Sequence, residues 1–99
     1  MTKADIVNEI SKNTGIEKIT VQKTVEAFME TVSNSLVNDQ DVFLRGFGSF
    51  IVKKRAQKTA RNISKNETLI IDEHYIPAFK PAKTFVSAVK DNVKREEVK

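Results

Sequence analysis

The sequence predicts an α+β fold in which helices at both ends flank a region of β-strands. Apolar residues recur at helical spacing over residues 18–38. Segments 42–52 and 67–80 are rich in β-branched and aromatic residues, as strands are. Between these two segments lies a basic stretch, residues 53–66, with too few apolar side chains to enter a core. The flanking strands therefore place the basic stretch on a hairpin rather than on a free tail.

Length and composition limit the class of protein. Ninety-nine residues provide for one domain with a small core. The absence of cysteine excludes disulfides and thiolate metal sites and fits a reducing compartment. No apolar run is long enough to span a membrane, and Met1 precedes a polar segment rather than the apolar core of a secretory signal. We therefore expect a soluble, cytoplasmic protein with no membrane partner.

Charge is distributed unevenly along the chain. Residues 1–45 contain five Lys and Arg against seven Asp and Glu, whereas residues 46–99 contain twelve against six. The second half therefore accounts for the net charge of +4. Such a separation points to an anionic polymer as the partner of the second half and leaves the first half for packing.

Two helices are predicted in the first half. Thr2 and Asp5 form the pattern of a capping box, and Gly15 ends a first helix over about 3–13. The second helix spans about 18–38, and its apolar stripe is long for so small a protein. Because the rest of the chain offers little surface to cover this stripe, we interpret it as the seam of a dimer.

The central region predicts strands around a glycine turn. Gly46 and Gly48 allow a tight reversal between two short strands in segment 42–52. The further glycine and the lysine with hydroxyl of a phosphate-binding loop are missing, so nucleotide binding is not indicated. Segment 67–80 is predicted as one strand that returns to the core, and Pro77 marks a sheet edge or a bend.

The basic stretch contains six cationic side chains and no acid. Such a run is most often a solvated face, but its place between strands favours a folded arm that binds nucleic acid. From Lys53 to the tip the arm has roughly ten residues, so at about 3.3 Å each it reaches roughly 30 Å, enough to follow a DNA groove. The reversal is expected at Asn62 and Asn66, because asparagine tolerates a positive φ.

The C-terminal part predicts a short helix and a polar end. Pro81 is expected near the first position of this helix, and Phe85, Val86 and Val89 form its apolar face. The residues from 91 to 99 are polar and mixed in charge.

The sequence contains no convincing catalytic or metal-binding constellation. Asp72, Glu73 and His74 are adjacent, and successive residues on a strand point to opposite faces, so their side chains do not converge. We interpret His74 as a surface residue and expect neither enzymatic activity, nor a metal, nor a cofactor.

Three motifs occur at characteristic separations. They are the Gly-Phe-Gly-Ser-Phe turn at 46–50, the basic arm with Arg55, Lys58 and Arg61, and the Ile-Pro-Ala-Phe-Lys-Pro-Ala-Lys segment at 76–83. Together they resemble the bacterial HU and integration host factor family of histone-like nucleoid proteins. The resemblance covers a single domain, 1–90, with an arm at about 53–76 and a polar C-terminal extension at 91–99. It implies an intertwined dimer with a helical base, a three-stranded β-saddle and two arms that embrace the DNA minor groove.

The resemblance also assigns roles to residues. In the family, arm residues line the phosphates and the minor groove, body lysines grip flanking phosphates, and a tip residue wedges between base pairs. The residues at these positions here are Lys3, Lys53, Arg55, Lys58, Arg61, Asn62, Ile63, Lys65 and Lys83. Ile63 replaces the family's tip proline, and Asn66 its tip glycine, while Ala60 and Val86 also depart from the pattern. Since isoleucine can unstack a base step, we interpret Ile63 as a wedge.

The function implied is architectural: binding of double-stranded DNA with little sequence specificity, bending and compaction in the nucleoid. The close alternative is a sequence-specific bender of the integration host factor type, which segments 44–50 and 75–77 resemble somewhat more. A homodimer is expected, with a heterodimer of paralogues as the alternative. A hairpin that binds acidic protein or lipid headgroups is disfavoured, because the cations do not lie beside the apolar face of a helix. RNA is at most a secondary ligand, because the arm lacks an exposed aromatic platform.

Overall fold

The computed structural model describes the backbone of residues 1–62 and 67–95. Within these ranges the elements are α1 (Lys3–Thr14), α2 (Lys18–Val37), β1 (Val42–Leu44), β2 (Gly48–Arg55), β3 (Lys58–Asn62), β4 (Glu67–Ile71), β5 (His74–Pro81) and α3 (Lys83–Asn92). The predicted α+β class, with its three-stranded antiparallel sheet, is confirmed. None of the helices in these ranges is long and apolar enough to cross a membrane.

Helix α1 begins and ends where local sequence predicts. The Thr2 hydroxyl accepts a hydrogen bond from the Asp5 N–H, and the Asp5 carboxylate accepts one from the Thr2 backbone N–H at 2.8 Å. The bond from the Thr2 backbone is the main cause that lowers the pKa of Asp5. Gly15 caps the other end with a φ of 77°, a region that glycine adopts at little cost.

Helix α2 carries the long apolar stripe, and the chain covers only part of it. Val7, Val21 and Val32 are the buried apolar residues of the described part of the chain. Phe28 and Met29, on the same helix, each remain more than two-fifths exposed at 45% and 44%. A single chain therefore lacks a substantial core of its own.

The main sheet has the strand order β1-β2-β5, and all its pairs are antiparallel. The turn between β1 and β2 contains Gly46 with a φ of 82°, as the glycine turn requires. Pro77 lies in β5, which is an edge strand, and pairs with Val52 of β2. This position confirms the predicted edge, since an edge strand tolerates a residue without an N–H.

Strand register gives the sheet two faces, because paired residues of antiparallel strands project to the same side. The inner face carries Val42, Leu44, Gly48, Phe50, Val52, Lys54, Tyr75, Pro77, Phe79 and Pro81. The outer face carries Phe43, Ser49, Ile51, Lys53, Arg55, His74, Ile76, Ala78 and Lys80. A cavity between α2 and the sheet is lined by Leu36 and Val37 of the helix and by Val52 and Pro77 of the inner face. The inner face is therefore the one that packs on the helices.

A cluster of phenylalanines holds the inner face to α3. The ring of Phe47 lies 5.2 Å from that of Phe79 and 5.4 Å from that of Phe85, measured between centroids. A β-carbon at Gly48 would lie 2.6 Å from the Phe79 ring and 2.6 Å from the Lys80 carbonyl oxygen. The second glycine of the turn is thus required by packing against Phe79 and the Lys80 carbonyl.

The arm is divided into two paired segments. Strands β2 and β5 pair as far as Arg55 opposite His74, and β3 and β4 then form a separate two-stranded sheet. The sequence predicts one continuous strand over 67–80, and this prediction is wrong. Residues 72–73 are unpaired and separate β4 from β5, and residues 56–57, opposite them in the arm, likewise separate β2 from β3. The radius of gyration is 19.0 Å, against about 13 Å for a compact chain of this length. The arm accordingly projects from the body.

Helix α3 begins later than predicted. Pro81 is the last residue of β5 and stands before the N-cap, not at the first helical position. Ala82 is the N-cap, and its N–H donates to the Phe47 carbonyl oxygen at 2.9 Å, which holds the chain on the sheet for one more residue. The helix continues to Asn92, so the first residues of the predicted extension are helical, and residues 96–99 lie outside the described part.

Candidate nucleic-acid interface

Two predicted binding residues lie together at the base of the arm. Lys53 and Arg55 alternate along β2, so both project from the outer face, and both are exposed. The described residues of the outer face include no acid. The outer face therefore presents uncompensated positive charge to solvent.

Lys54 stands between these two cations and projects from the inner face. Its Nζ lies 3.2 Å from the Glu73 Oε2, and both side chains are more than half exposed. Exposed ion pairs of this kind contribute at most about 1 kcal/mol. The structure thus divides three consecutive cations into two that face outward and one that is partly neutralised.

Lys80 and His74 extend the outer face and were not predicted as binding residues. Lys80 pairs with Ser49, His74 pairs with Arg55, and both side chains are exposed. The His74 Nδ1 lies 3.0 Å from the carbonyl oxygen of Asp72. Sequence could indicate these two residues only through the alternation of side chains along β5, and that alternation assigns them to the outer face only when the register of β5 on β2 is known.

No group of three or more His, Asp or Glu side chains is arranged to hold a metal ion within the described ranges.

The outer part of the arm carries three further predicted residues. Along β3, Lys58 and Asn62 occupy positions on one face of the two-stranded sheet, and Arg61 occupies a position on the opposite face. Lys58 is exposed, whereas the side chains of Arg61 and Asn62 are not among those described. Ile63 and Lys65 lie wholly outside the described residues.

The two predicted body lysines each begin a helix, but their surroundings differ. Lys83 begins α3, whose N-cap Ala82 makes no side-chain hydrogen bond. The first N–H groups of α3 are therefore available to an anion. Lys3 begins α1, where the capping box already supplies an acceptor, and its Nζ donates to the Glu26 Oε2 at 2.7 Å. The hydrogen bond from Lys3 is the main cause that lowers the pKa of Glu26.

Comparison with known proteins places this arrangement in a family. The model of the family described as bacterial DNA-binding protein matches residues 1–90. The chain belongs to this family. The DNA-binding protein HU of Thermus thermophilus is 39% identical over 95 residues, which are 96% of this chain and 94% of that protein. The integration host factor subunit beta of Marinobacter nauticus is 35% identical over 96 residues, 96% of this chain and 98% of that protein.

Solved structures of the family share the fold. The HU of an Anabaena HU–DNA cocrystal structure matches with a TM-score of 0.85 and 29% identity, over 90% of this chain and 97% of that one. An HU variant from Thermotoga maritima matches with a TM-score of 0.69 and 26% identity, over 90% of this chain and 99% of that one. The predicted resemblance to HU and integration host factor is confirmed.

Proposed function

We propose that the protein is an architectural protein of the bacterial nucleoid, which binds double-stranded DNA with little sequence specificity, bends it and compacts it. The observation that carries the proposal is the acid-free outer face, from which Lys53, Arg55 and Lys80 project in a chain of a DNA-binding family. A relative of the same fold was crystallised with DNA. HU-type relatives also outnumber the integration host factor type among the most similar proteins.

The active unit is a dimer. Phe47 and Phe79, in the middle of the aromatic cluster, remain 47% and 39% exposed in the single chain, and Val37 remains 83% exposed. The cavity between α2 and the inner face measures about 660 Å³. A second chain that fills this space removes apolar surface from water, at roughly 25 cal/mol for each Å². Two chains also set two arms on one duplex, so the DNA is held at two places and bent between them.

Affinity arises from the cations of the arm and the body. Each phosphate that a lysine or arginine neutralises releases counterions, so log affinity falls against log salt with a slope of about −0.9 per contact. Side chains in the minor groove distinguish A·T from G·C pairs and sense groove width, and read little else. This chemistry suits binding that tolerates many sequences. The wedge role of Ile63, which lies outside the described residues, stays a prediction.

The body lysines act on phosphates that flank the arms. Lys83 approaches a phosphate together with the free N–H groups of α3. Lys3 has first to leave Glu26, because its Nζ is engaged in the free protein. When DNA binds, Lys3 at α1 therefore exchanges the Glu26 carboxylate for a DNA phosphate. Lys83 at α3 makes no such exchange.

Glu26→Gln is expected to raise affinity for duplex DNA by roughly twofold, because Lys3 is then free and exposed ion pairs of this kind are weak. Fluorescence anisotropy with a random-sequence duplex at low salt measures the effect. Glu30→Gln is the matched control: it removes a carboxylate from the same helix, and Glu30 has no ion pair in the described part of the chain. Equal gains in the two variants would show that net charge, not release of Lys3, is responsible.

Competition between a random duplex and an integration host factor site, at a fixed salt concentration, tests the proposed function. We expect a ratio of affinities near one. A ratio of about 10³ or more would identify a sequence-specific bender instead. The relative of the integration host factor type, at 35% identity, makes this the alternative to test. Retention on anionic vesicles without affinity for either duplex would overturn both.

A further inference from the structure

His74 is the one side chain of the protein that is suited to change its charge near neutral pH. The sequence contains a single histidine and no cysteine, and histidine is the residue whose charge ordinarily changes between pH 5 and 8. His74 begins β5, at the level where the main sheet ends and the outer part of the arm begins. Its side chain is exposed. A change in its charge therefore acts at the base of the arm.

A hydrogen bond determines which ring nitrogen of His74 carries the proton. The Nδ1 lies 3.0 Å from the carbonyl oxygen of Asp72. A carbonyl oxygen can only accept, so Nδ1 is the donor and the neutral ring carries its proton there. The Nε2 of the neutral ring is then without a proton and can only accept a hydrogen bond.

A phosphate oxygen of DNA is also an acceptor. Neutral His74 therefore has no donor to offer it, because the Asp72 carbonyl already uses the Nδ1 proton. When the ring is protonated, Nε2 becomes a donor and the ring becomes a cation. A contact between His74 and a phosphate consequently requires the uptake of one proton.

The outer face places His74 where a phosphate is expected. Arg55 lies directly opposite it on β2, and Lys53 projects from the same face two residues earlier. Side chains of directly opposite residues begin about 5 Å apart, so one phosphate can contact both Arg55 and His74. The next residue of β5 on this face is Ile76, which is uncharged. The bound phosphate is thus the main anion that would favour a positive charge on His74.

The acids near His74 lie in the unpaired link at residues 72–73. Glu73 forms an ion pair with Lys54 of the inner face. Asp72 contributes its backbone carbonyl, and its carboxylate forms no ion pair within the described part of the chain. Beyond the link, β3 begins with another cation, Lys58. The Asp72 carboxylate is accordingly the one group of the protein that a test has to separate from DNA.

We propose that His74 couples DNA binding to the uptake of a proton, so that the protein binds duplex DNA more tightly at mildly acidic pH than above neutral pH. The proposal rests on the proposed function, since the phosphate belongs to the duplex on the outer face. It adds regulation by pH. Only the protonated ring donates to the phosphate, so the additional affinity is present at low pH and is lost as the pH rises. A dimer takes up at most two protons.

The test measures the affinity of the full chain for one random-sequence duplex at pH 5.5 and at pH 7.5. We expect the wild type to bind about fourfold more tightly at pH 5.5, because each of two exposed charge contacts contributes a factor of about two. The slope of log affinity against log salt should be steeper at pH 5.5, by up to about 0.9 for each chain. His74→Gln, whose amide does not titrate, should lose both differences.

Asp72→Asn is the matched control, because it removes the carboxylate and keeps the backbone carbonyl that holds Nδ1. It should retain the pH dependence of the wild type. A dependence that disappears in Asp72→Asn would assign the effect to the carboxylate and overturn the inference.

Calorimetry at pH 6.5, in two buffers with different ionisation enthalpies, counts the protons taken up on binding. The wild type should take up protons and His74→Gln should take up fewer. The α-amino group also titrates near neutral pH, but both proteins contain it, so it cannot cause a difference between them. Equal pH dependence and equal proton uptake in the two proteins would overturn the inference and leave the architectural function intact. Wild-type protein that binds duplex DNA at neither pH would instead overturn the proposed function.

Discussion

Replacement of both Lys53 and Arg55 by glutamine is expected to lower affinity for duplex DNA by roughly a hundredfold at low salt, since a dimer then loses four exposed charge contacts of about 0.7 kcal/mol each. The two side chains project from the same acid-free face at the base of the arm. Lys80 is the other lysine of that face, but it pairs with Ser49, at the opposite end of β2 from Arg55. The loss should therefore exceed that of any other pair of substitutions in the body.

The salt dependence of binding identifies the origin of this loss. Each phosphate contact removed should reduce the slope of log affinity against log salt by about 0.9. A dimer loses two such contacts from each chain. Anisotropy titrations between low and moderate salt, with one duplex throughout, measure both the affinity and the slope.

Lys54→Gln is the matched control for this experiment. Lys54 lies between the two cations in sequence but on the inner face, where Glu73 partly neutralises it. We expect its substitution to change affinity and slope little, although it removes half the formal charge that the double substitution removes. If Lys54→Gln weakens binding as much as either outward-facing substitution, the assignment of the outer face to DNA is wrong.

Gly48→Ala is expected to destabilise the protein by about 3 kcal/mol, the upper end of the range for overpacking. The new methyl group would lie 2.6 Å from the Lys80 carbonyl oxygen and 2.6 Å from the Phe79 ring. The ring could move only by leaving Phe47 and Phe50, and the carbonyl belongs to the β2–β5 ladder. Relief of the clash therefore disrupts either the aromatic cluster or the sheet.

Gly46→Ala separates this packing effect from backbone strain. Gly46 has a φ of 82°, but a β-carbon there would meet no atom within 4 Å. Its substitution should cost only the strain of a left-handed residue, about 1 kcal/mol. Urea unfolding at one protein concentration measures both variants, since the stability of a dimer depends on concentration. Equal destabilisation would show that chain reversal, and not the contact with Phe79, requires the second glycine.

Sequence reasoning succeeded where the signal is local. The capping box of Thr2 and Asp5 and the left-handed Gly15 delimit α1, because each acts on backbone groups within four residues of itself. The helical spacing of the apolar residues in α2 is also a local signal, and it predicted this helix correctly. The arm was recognised as a basic hairpin because its composition excludes a core. The need for a partner chain also followed from sequence, since the stripe exceeds what one small chain can cover.

The tertiary structure decided which of these residues act together. Strand pairing places Lys53 and Arg55 on the outer face with Lys80 and His74. It places Lys54 on the inner face, where Lys54 forms an ion pair with Glu73. It also breaks the arm at residues 72–73, where the sequence predicts an uninterrupted strand. Helix packing places Glu26 against Lys3. All these outcomes depend on contacts between residues distant in sequence, and a one-residue change in register would reverse every face. Local propensity contains no information on that register, so the sequence alone determined the elements and the charge of the arm, and only the fold determined which cations face outward.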